Sequence, residues 1–446
     1  MCPMATFFIQ NFGCRATQAD AGAIRESLLA SGHTPVESET GAALVVLNTC
    51  TVTAAADAEA RESIRRIHRE NPGARIIATG CYAQRAPEEL ASLPGVVSVI
   101  GNSHQHELAS LLSHSAEFFP ASELVRGSSA PVFREQMLRR VLPMNFQLHH
   151  HTDAPDARTR PVLKIQDGCN HRCAYCVIPL VRGSSRSADP ALVIAEINRL
   201  IESGVQEVVL SGIDLGSYGR DLQPRISLQS LVREIISETQ LASLRLSSIE
   251  PVDITRDFIA FVASEPRIAP HFHMPLQSGC DKILRAMHRW YRAEHYARRV
   301  QLIRELLPHA AIGADVIAGF PGETDEDHAD TVNFLSALPL SYLHVFSFSP
   351  RPGTKAAALA HAVPPQIIHT RARELRTIAR KKSQEFRASQ VGRKLRALTL
   401  SRQEEDSTFA VTGNYLNIRV AGSLPRNRWL EIIIPPDGAP AVPLPL

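Results

Sequence analysis

No stretch of this 446-residue chain reaches the roughly 18 uninterrupted apolar residues that a membrane span requires, so no spanning helix is expected. The start, Met1 to Gly13, lacks the basic residues and apolar core of a secretory signal, so a cytosolic location is expected. Strong charge is missing as well: a net +3 is too small to argue for nucleic-acid binding by itself. No Ser/His/Asp set and no phosphate-binding P-loop stands out, which leaves the corresponding hydrolase and nucleotide chemistries without residues. What is present is bulk. At 44% hydrophobic and 21% charged residues, the composition is that of a soluble globular protein, and the length suggests two or three domains.

Eight cysteines in a cytosolic chain point to metal ligation or catalysis, because that compartment keeps thiols reduced. Cys169, Cys173 and Cys176 form a Cys-x3-Cys-x2-Cys set. Three thiolates so spaced can hold one face of a [4Fe-4S] cube and leave one iron open to another ligand. Zinc is the alternative, but it usually wants a fourth ligand. The local candidate, His171, lies between two of the cysteines, where binding the same ion would cramp the loop.

Short apolar or β-branched runs follow at 162–165, 207–210, 243–246, 272–275, 312–318 and 343–348, with helix-like segments such as 190–203 and 281–307 between them. Six βα units predict a parallel sheet curled toward a barrel, two strands short of a closed one. The strand ends carry the polar and glycine-rich segments, including Asp214, Glu250, Gly319 and Gly322, on one expected rim. Residues 160–385 thus resemble the radical S-adenosylmethionine (SAM) superfamily. The resemblance implies that the open iron chelates SAM, whose reductive cleavage gives a 5′-deoxyadenosyl radical. It also implies that Asp214 approaches the methionine part, Glu250 the ribose, and the segment holding Gly319 and Gly322 the adenine.

The N-terminal third has its own strand-like runs at 6–10, 43–47 and 75–78, each followed closely by a cysteine: Cys14, Cys50 and Cys81. Helix-like stretches at 18–30 and 54–69 separate them, so a doubly wound parallel sheet is expected, with the three cysteines meeting at one edge. They read as a second three-thiolate site, or else as small buried residues. Cys2 and Cys280 have no such company.

The strings Phe12-Gly13-Cys14-Arg15-Ala16-Thr17-Gln18, Asn48-Thr49-Cys50-Thr51-Val52-Thr53, Thr79-Gly80-Cys81-Tyr82-Ala83-Gln84, Gln166-Asp167-Gly168-Cys169-Asn170, Pro179-Leu180-Val181-Arg182-Gly183 and Pro275-Leu276-Gln277-Ser278-Gly279 resemble the methylthiotransferases over essentially the whole chain. The first two are most similar to the branch acting on N6-threonylcarbamoyladenosine beside the tRNA anticodon, although Ala16-Thr17 replaces the aliphatic-Asn pair usual there. That family implies two [4Fe-4S] clusters and two SAM molecules. One SAM would methylate sulfur on the cluster at Cys14, Cys50 and Cys81, and the other would supply the radical that activates adenine C2. It further implies tRNA as substrate and an external flavodoxin- or ferredoxin-like electron donor, with no membrane partner.

The alternating segment from about 390 to 435 resembles the small β-barrel RNA-binding domain, TRAM, of these enzymes. Ahead of it, residues 371–396 hold ten Lys/Arg against Glu374 and Glu385. That run reads as a solvated helix face or as a stripe for tRNA phosphates. The expected organisation is 1–112 for the N-terminal domain, a 113–160 linker with the run His149-His150-His151, 161–388 for the radical-SAM domain and 389–446 for the TRAM-like domain. Open alternatives are a sister branch acting on isopentenyladenosine or on a ribosomal-protein aspartate, and a non-catalytic zinc-dependent RNA-binding protein.

Overall fold

The computed structural model describes residues 4–113, 130–134, 159–436 and 439–444. Cys2, the His149-His150-His151 run and most of the expected linker lie outside the described residues. The chain divides into two compact units. The first is Met1–Asp156 with Lys164–Ala188 and Ser349–Ala357; the second is Ala157–Leu163 with Asp189–Phe348 and Ala358–Leu446.

The first unit is built on β1 (Thr6–Asn11), β2 (Thr34–Pro35), β3 (Leu44–Thr49), β4 (Arg75–Gly80), β5 (Val96–Gly101) and β6 (Val132–Phe133). All are parallel, in the order β2-β1-β3-β4-β5-β6. Successive side chains of a strand point to opposite faces, and β3 feeds two cores in this way. Leu44 and Val46 pack with Ile24 and Leu28 of α1 (Arg15–Ala30), whereas Val45 and Leu47 pack with Ile64 and Ile67 of α2 (Ala54–Glu70). Helices on both faces make the sheet doubly wound, as expected. The helices α3 (Cys81–Arg85), α4 (Pro87–Ala91) and α5 (Leu108–Ser113) complete this part. The unit also takes in the end of β7 (Val162–Asp167), the loop bearing Cys169, α6 (Ile178–Arg182) and β8 (Arg186–Ser187), which pairs antiparallel with the end of β7.

In the second unit, β9 (Glu207–Gly212) and β10 (Ser243–Leu246) pair in parallel, as do β11 (His271–His273), β12 (Ala311–Ala318) and β13 (Tyr342–Ser347). A parallel bridge between Ser248 and His273 carries the run from one group to the other. At the foot of β7, the Pro161 carbonyl accepts from the Val209 N–H at 3.0 Å. The six strands of the expected partial barrel are therefore present. Between them lie α7 (Pro190–Glu202), α8 (Leu228–Glu238), α9 (Arg256–Ser264), α10 (Asp281–Ala286), α11 (Ala293–Leu306) and α12 (Asp325–Ala337). The single helix expected over 281–307 is broken into α10 and α11. His288 takes a φ of 59°, which no right-handed helix accommodates, and the Tyr291 hydroxyl meets the carbonyls of Pro275 and Leu276 instead.

The last helix, α13 (Pro365–Ala388), carries most of the basic stripe, and not all of it faces water. Arg371 is buried against Glu323 at 2.8 Å and Asp325 at 2.7 Å. Lys382 is buried too, its ammonium donating to the carbonyls of Ser336 and Leu338 at the end of α12. Arg373, Arg376, Arg380 and Lys381 are exposed.

The chain ends in an antiparallel sheet of β14 (Lys394–Glu404), β15 (Ser407–Thr412), β16 (Asn417–Ala421) and β17 (Trp429–Ile433), ordered β16-β15-β14-β17 around Ala397, Ala410, Ile418 and Ile432. Arg245 of β10, fully buried, grips Glu207 through two N–H groups at 2.8 and 3.2 Å. Its remaining donors reach the carbonyls of Gly413 at 2.9 Å and Thr412 at 3.1 Å, at the end of β15. Among the described residues no helix is long and apolar enough to cross a membrane.

Candidate metal centres

Strands β1, β3 and β4 are neighbours whose carboxyl ends are in step, with Asn11 opposite Asn48 and Thr49 opposite Gly80. Cys14, Cys50 and Cys81 follow those ends directly, at the switch point of a 2-1-3-4-5 sheet, where such folds bind their ligands. Gly13 marks how tightly they meet. At φ 97° it holds a conformation other residues rarely adopt, and a Cβ there would fall 2.8 Å from Cys50 Sγ. Cys14 is exposed, whereas Cys50 and Cys81 are buried.

Burial, reinforced by the neighbouring Cys81 and Cys14, pushes the Cys50 thiol up to about 12. Burial raises Cys81 as well, although Arg182 and the Asn102 amide, which donates to its sulfur at 3.4 Å, pull the other way. Without a cation these thiols stay protonated and poorly nucleophilic; a bound metal deprotonates them outright.

The other triplet is held by backbone turns. Gly168, at φ 72°, lets the chain pass so close to Ser184 that a Cβ would sit 2.0 Å from its carbonyl oxygen. The Cys169 N–H donates to the Gly183 carbonyl at 3.0 Å, the Cys176 N–H to Cys173 at 3.1 Å, and the His171 N–H to Cys169 Sγ at 3.4 Å. All three thiols are partly exposed and line a cavity of about 770 Å3, which Gly353, Thr354 and Lys355 also line. Thiols lining a space of that size, with the His171 N–H aimed at the Cys169 sulfur, suit an iron–sulfur cluster.

One residue, marked in the sequence only as part of the string from Pro179 to Gly183, joins the two sites. Arg182, fully buried at the end of α6, donates to Asp20 at 2.7 Å and to both oxygens of Asp167 at 3.1 and 3.2 Å. Lys164 pairs with the same two carboxylates. Burial alone would raise the Asp167 carboxyl, yet Lys164 and Arg182 hold it well below the usual carboxylate range. The positive charge of Arg182 also acts on Cys81, Cys14 and Cys50. Cys81 packs against Val177 and Val181 of the loop segment. The Arg182 Nε–H is buried without a hydrogen-bond partner among the described residues. An orphaned N–H costs about 1–3 kcal/mol, and an anionic sulfur at Cys14, Cys50 and Cys81 is the partner its surroundings suit.

In the second unit, Asp214 is buried at the end of β9, and its backbone carbonyl accepts from both the N–H and the hydroxyl of Ser217. The Glu250 carboxylate is engaged by Arg289, which also donates to the Tyr291 hydroxyl. Gly319 and Gly322 both take positive φ beyond β12, and the Gly319 N–H donates to Glu323 at 2.8 Å. Cys280 donates its S–H to Asp327, a structural contact.

The chain matches the models of the Uncharacterized protein family UPF0004 over residues 6–101 and of the Radical SAM superfamily over residues 163–335. It is 37% identical to the threonylcarbamoyladenosine tRNA methylthiotransferase MtaB of Aquifex aeolicus, covering 95% of this chain and 99% of that one. It is 33% identical to the Bacillus subtilis MtaB over 94% and 91% of the two chains. Against the tRNA-2-methylthio-N(6)-dimethylallyladenosine synthase of Thermobifida fusca the identity is 32%, over 89% and 78%. The solved structure of TsrM, a radical S-adenosylmethionine methyltransferase from Kitasatospora setae, superposes with a TM-score of 0.58 over 79% of this chain and 74% of that one. At 17% identity this speaks for the fold alone. With a radical SAM domain, which implies SAM and a [4Fe-4S] cluster, and such identity over nearly the full length of its relatives, the chain belongs to the radical-SAM tRNA methylthiotransferase family.

Proposed function

We propose that the enzyme transfers a methylthio group to C2 of N6-threonylcarbamoyladenosine next to the tRNA anticodon, using two SAM molecules and two [4Fe-4S] clusters. The observation that carries this reading is the gathering of both cysteine triplets into one compact unit, with Arg182 reaching from one toward the other. When bound, the cluster at Cys169, Cys173 and Cys176 supplies the electron that cleaves SAM, and the cluster at Cys14, Cys50 and Cys81 supplies the sulfur. Two clusters answer a chemical need, since adenine C2–H is not reactive enough for acid–base catalysis. Cys14, the exposed member of its triplet, marks the side from which a reactant reaches that sulfur. The roles of Asp214, Glu250, Gly319 and Gly322 toward SAM, the domain boundaries at 112, 161 and 389, an external flavodoxin- or ferredoxin-like donor, and a cytosolic location belong to the same reading.

The choice of branch follows the relatives of 37% and 33% identity, which bear the threonylcarbamoyladenosine name. A site built for a polar carbamoyl and carboxylate leaves buried groups unpaired when a prenyl chain enters, which discriminates by about 10^4 or more. Incubating tRNAs carrying each modification with enzyme, SAM and reductant, then digesting to nucleosides, should give methylthiolation on the threonylcarbamoyl substrate alone. Product only on the isopentenyl tRNA would move the enzyme to the sister branch.

The role of meeting tRNA phosphates falls to the outward residues of α13. Replacing Arg373, Arg376, Arg380 and Lys381 by Ala is expected to weaken tRNA binding and to flatten its log–log salt dependence by up to about 0.9 for each phosphate no longer neutralised. Lys382, bound to the end of α12, is left out of that set. An unchanged salt slope would return the stripe to an ordinary solvated face.

A further inference from the structure

Strands β11, β12 and β13 place three side chains together that the proposed chemistry does not use. His273 stands opposite Gly313, and Asp315, two residues further along β12, stands opposite His344. Residues two apart share a face of the sheet, so His273, Asp315 and His344 all point to one side.

Asp315 Oδ1 lies 3.1 Å from His273 Nε2 and 3.1 Å from His344 Nδ1, and the three ligand-type atoms are all within 4.8 Å of one another. Donors held at about 2.1 Å from a first-row cation stand roughly 3.0 to 3.4 Å apart when adjacent. Both spacings from Asp315 to an imidazole nitrogen fall in that range.

Hydrogen bonding alone does not account for the cluster. His344 Nδ1 bonds to the carboxylate, but the buried His273 Nε2, equally near, is not aligned to do so. The other nitrogen of that ring, Nδ1, meets Ser248 Oγ at 2.9 Å. This is how metal-bound histidines are commonly held: one nitrogen toward the ion, the other fixed by an outer partner that sets tautomer and ring plane. Asp315 supplies a carboxylate oxygen between the two imidazoles. The His344 side chain is 52% exposed, which leaves a path for an ion to enter.

We propose that His273, Asp315 and His344 form a binding site for one divalent first-row cation, with coordination positions left for oxygen ligands from solvent or substrate. None of its residues belongs to either cysteine triplet, and the proposal does not depend on the methylthio transfer proposed above.

The test uses cluster-loaded enzyme purified without oxygen, with its clusters oxidised and silent in electron paramagnetic resonance. Titrated Mn2+ loses its six-line signal on binding. The wild type should take up about one equivalent. Ser248→Ala, which removes only the outer partner, should bind about 10- to 100-fold more weakly. Asp315→Asn and His344→Gln should abolish uptake. His344 is exposed enough for its variant to fold, and iron per chain in the same samples confirms this while reporting separately on the clusters. No uptake by the wild type below about 1 mM, the weak end of biological cation sites, would overturn the proposal. So would uptake unchanged in Asp315→Asn and His344→Gln.

Discussion

Reconstituted enzyme with Cys14, Cys50 and Cys81 all changed to Ala is expected to hold about four iron atoms per chain instead of about eight. It should make no methylthio product, yet still cleave SAM to 5′-deoxyadenosine. The loop triplet is shaped by its own turns, from Cys169 to Gly183 and from Cys173 to Cys176, and these use no residue of the altered set. The three replaced thiols are small, and the burial that raises Cys50 and Cys81 keeps both uncharged in the absence of metal, so the substitution removes ligands without stripping a charge from the core. The mirror variant, Cys169, Cys173 and Cys176 to Ala, should lose SAM cleavage and product together. Iron content that stays at the wild-type level in the first variant would remove the second cluster from the reading.

The largest effect on stability is expected at Arg182. Changing it to Met keeps most of the volume but leaves Asp20 with Lys164 alone and Asp167 with Lys164 and the more distant Arg186 at 3.8 Å. Removing one partner of a buried ion pair costs about 3–5 kcal/mol, because it leaves buried negative charge that is no longer fully compensated. The chemical-denaturation midpoint should fall sharply, with a matching loss of soluble yield. Arg182→Lys should fall between, since one ammonium cannot reproduce the fork that reaches both carboxylates. Arg373→Ala, on the exposed face of α13, serves as the comparison and should stay within about 0.5 kcal/mol of wild type. A normal midpoint for Arg182→Met would show that the network is not what secures the loop.

The parts legible in the sequence are those with local signatures. Cys14, Cys50 and Cys81 each follow an apolar run, and parallel strands of a doubly wound sheet end on one edge, so their meeting could be read before any coordinates. The parts that were not legible depend on distance along the chain. Arg182 and Asp20 are separated by 162 residues, and Glu250 and Arg289 by 39, with nothing local to tie them. The strands β2 and β6, two residues each, are too short to show a period. The basic stripe carried a signal that a count of charges hides. Arg371, Leu375 and Lys382 fall on one face of α13 at helical spacing, and that face is buried. The break between α10 and α11 had no such marker, since His288 is not a residue type that announces a helix end.

The grip of Arg245 bears on how this protein can be taken apart. Two of its donors end on main-chain carbonyls of Thr412 and Gly413, so the C-terminal sheet completes the coordination of a charge belonging to the barrel strands. Trimming the sheet away to obtain a minimal catalytic fragment would strand a guanidinium and its carboxylate partner at an opened floor. A replacement sheet grafted from another protein would have to bring two carbonyls to the same turn. The sheet is therefore no detachable module, and altering it without disturbing the barrel calls for substitutions on its outer surface rather than truncation.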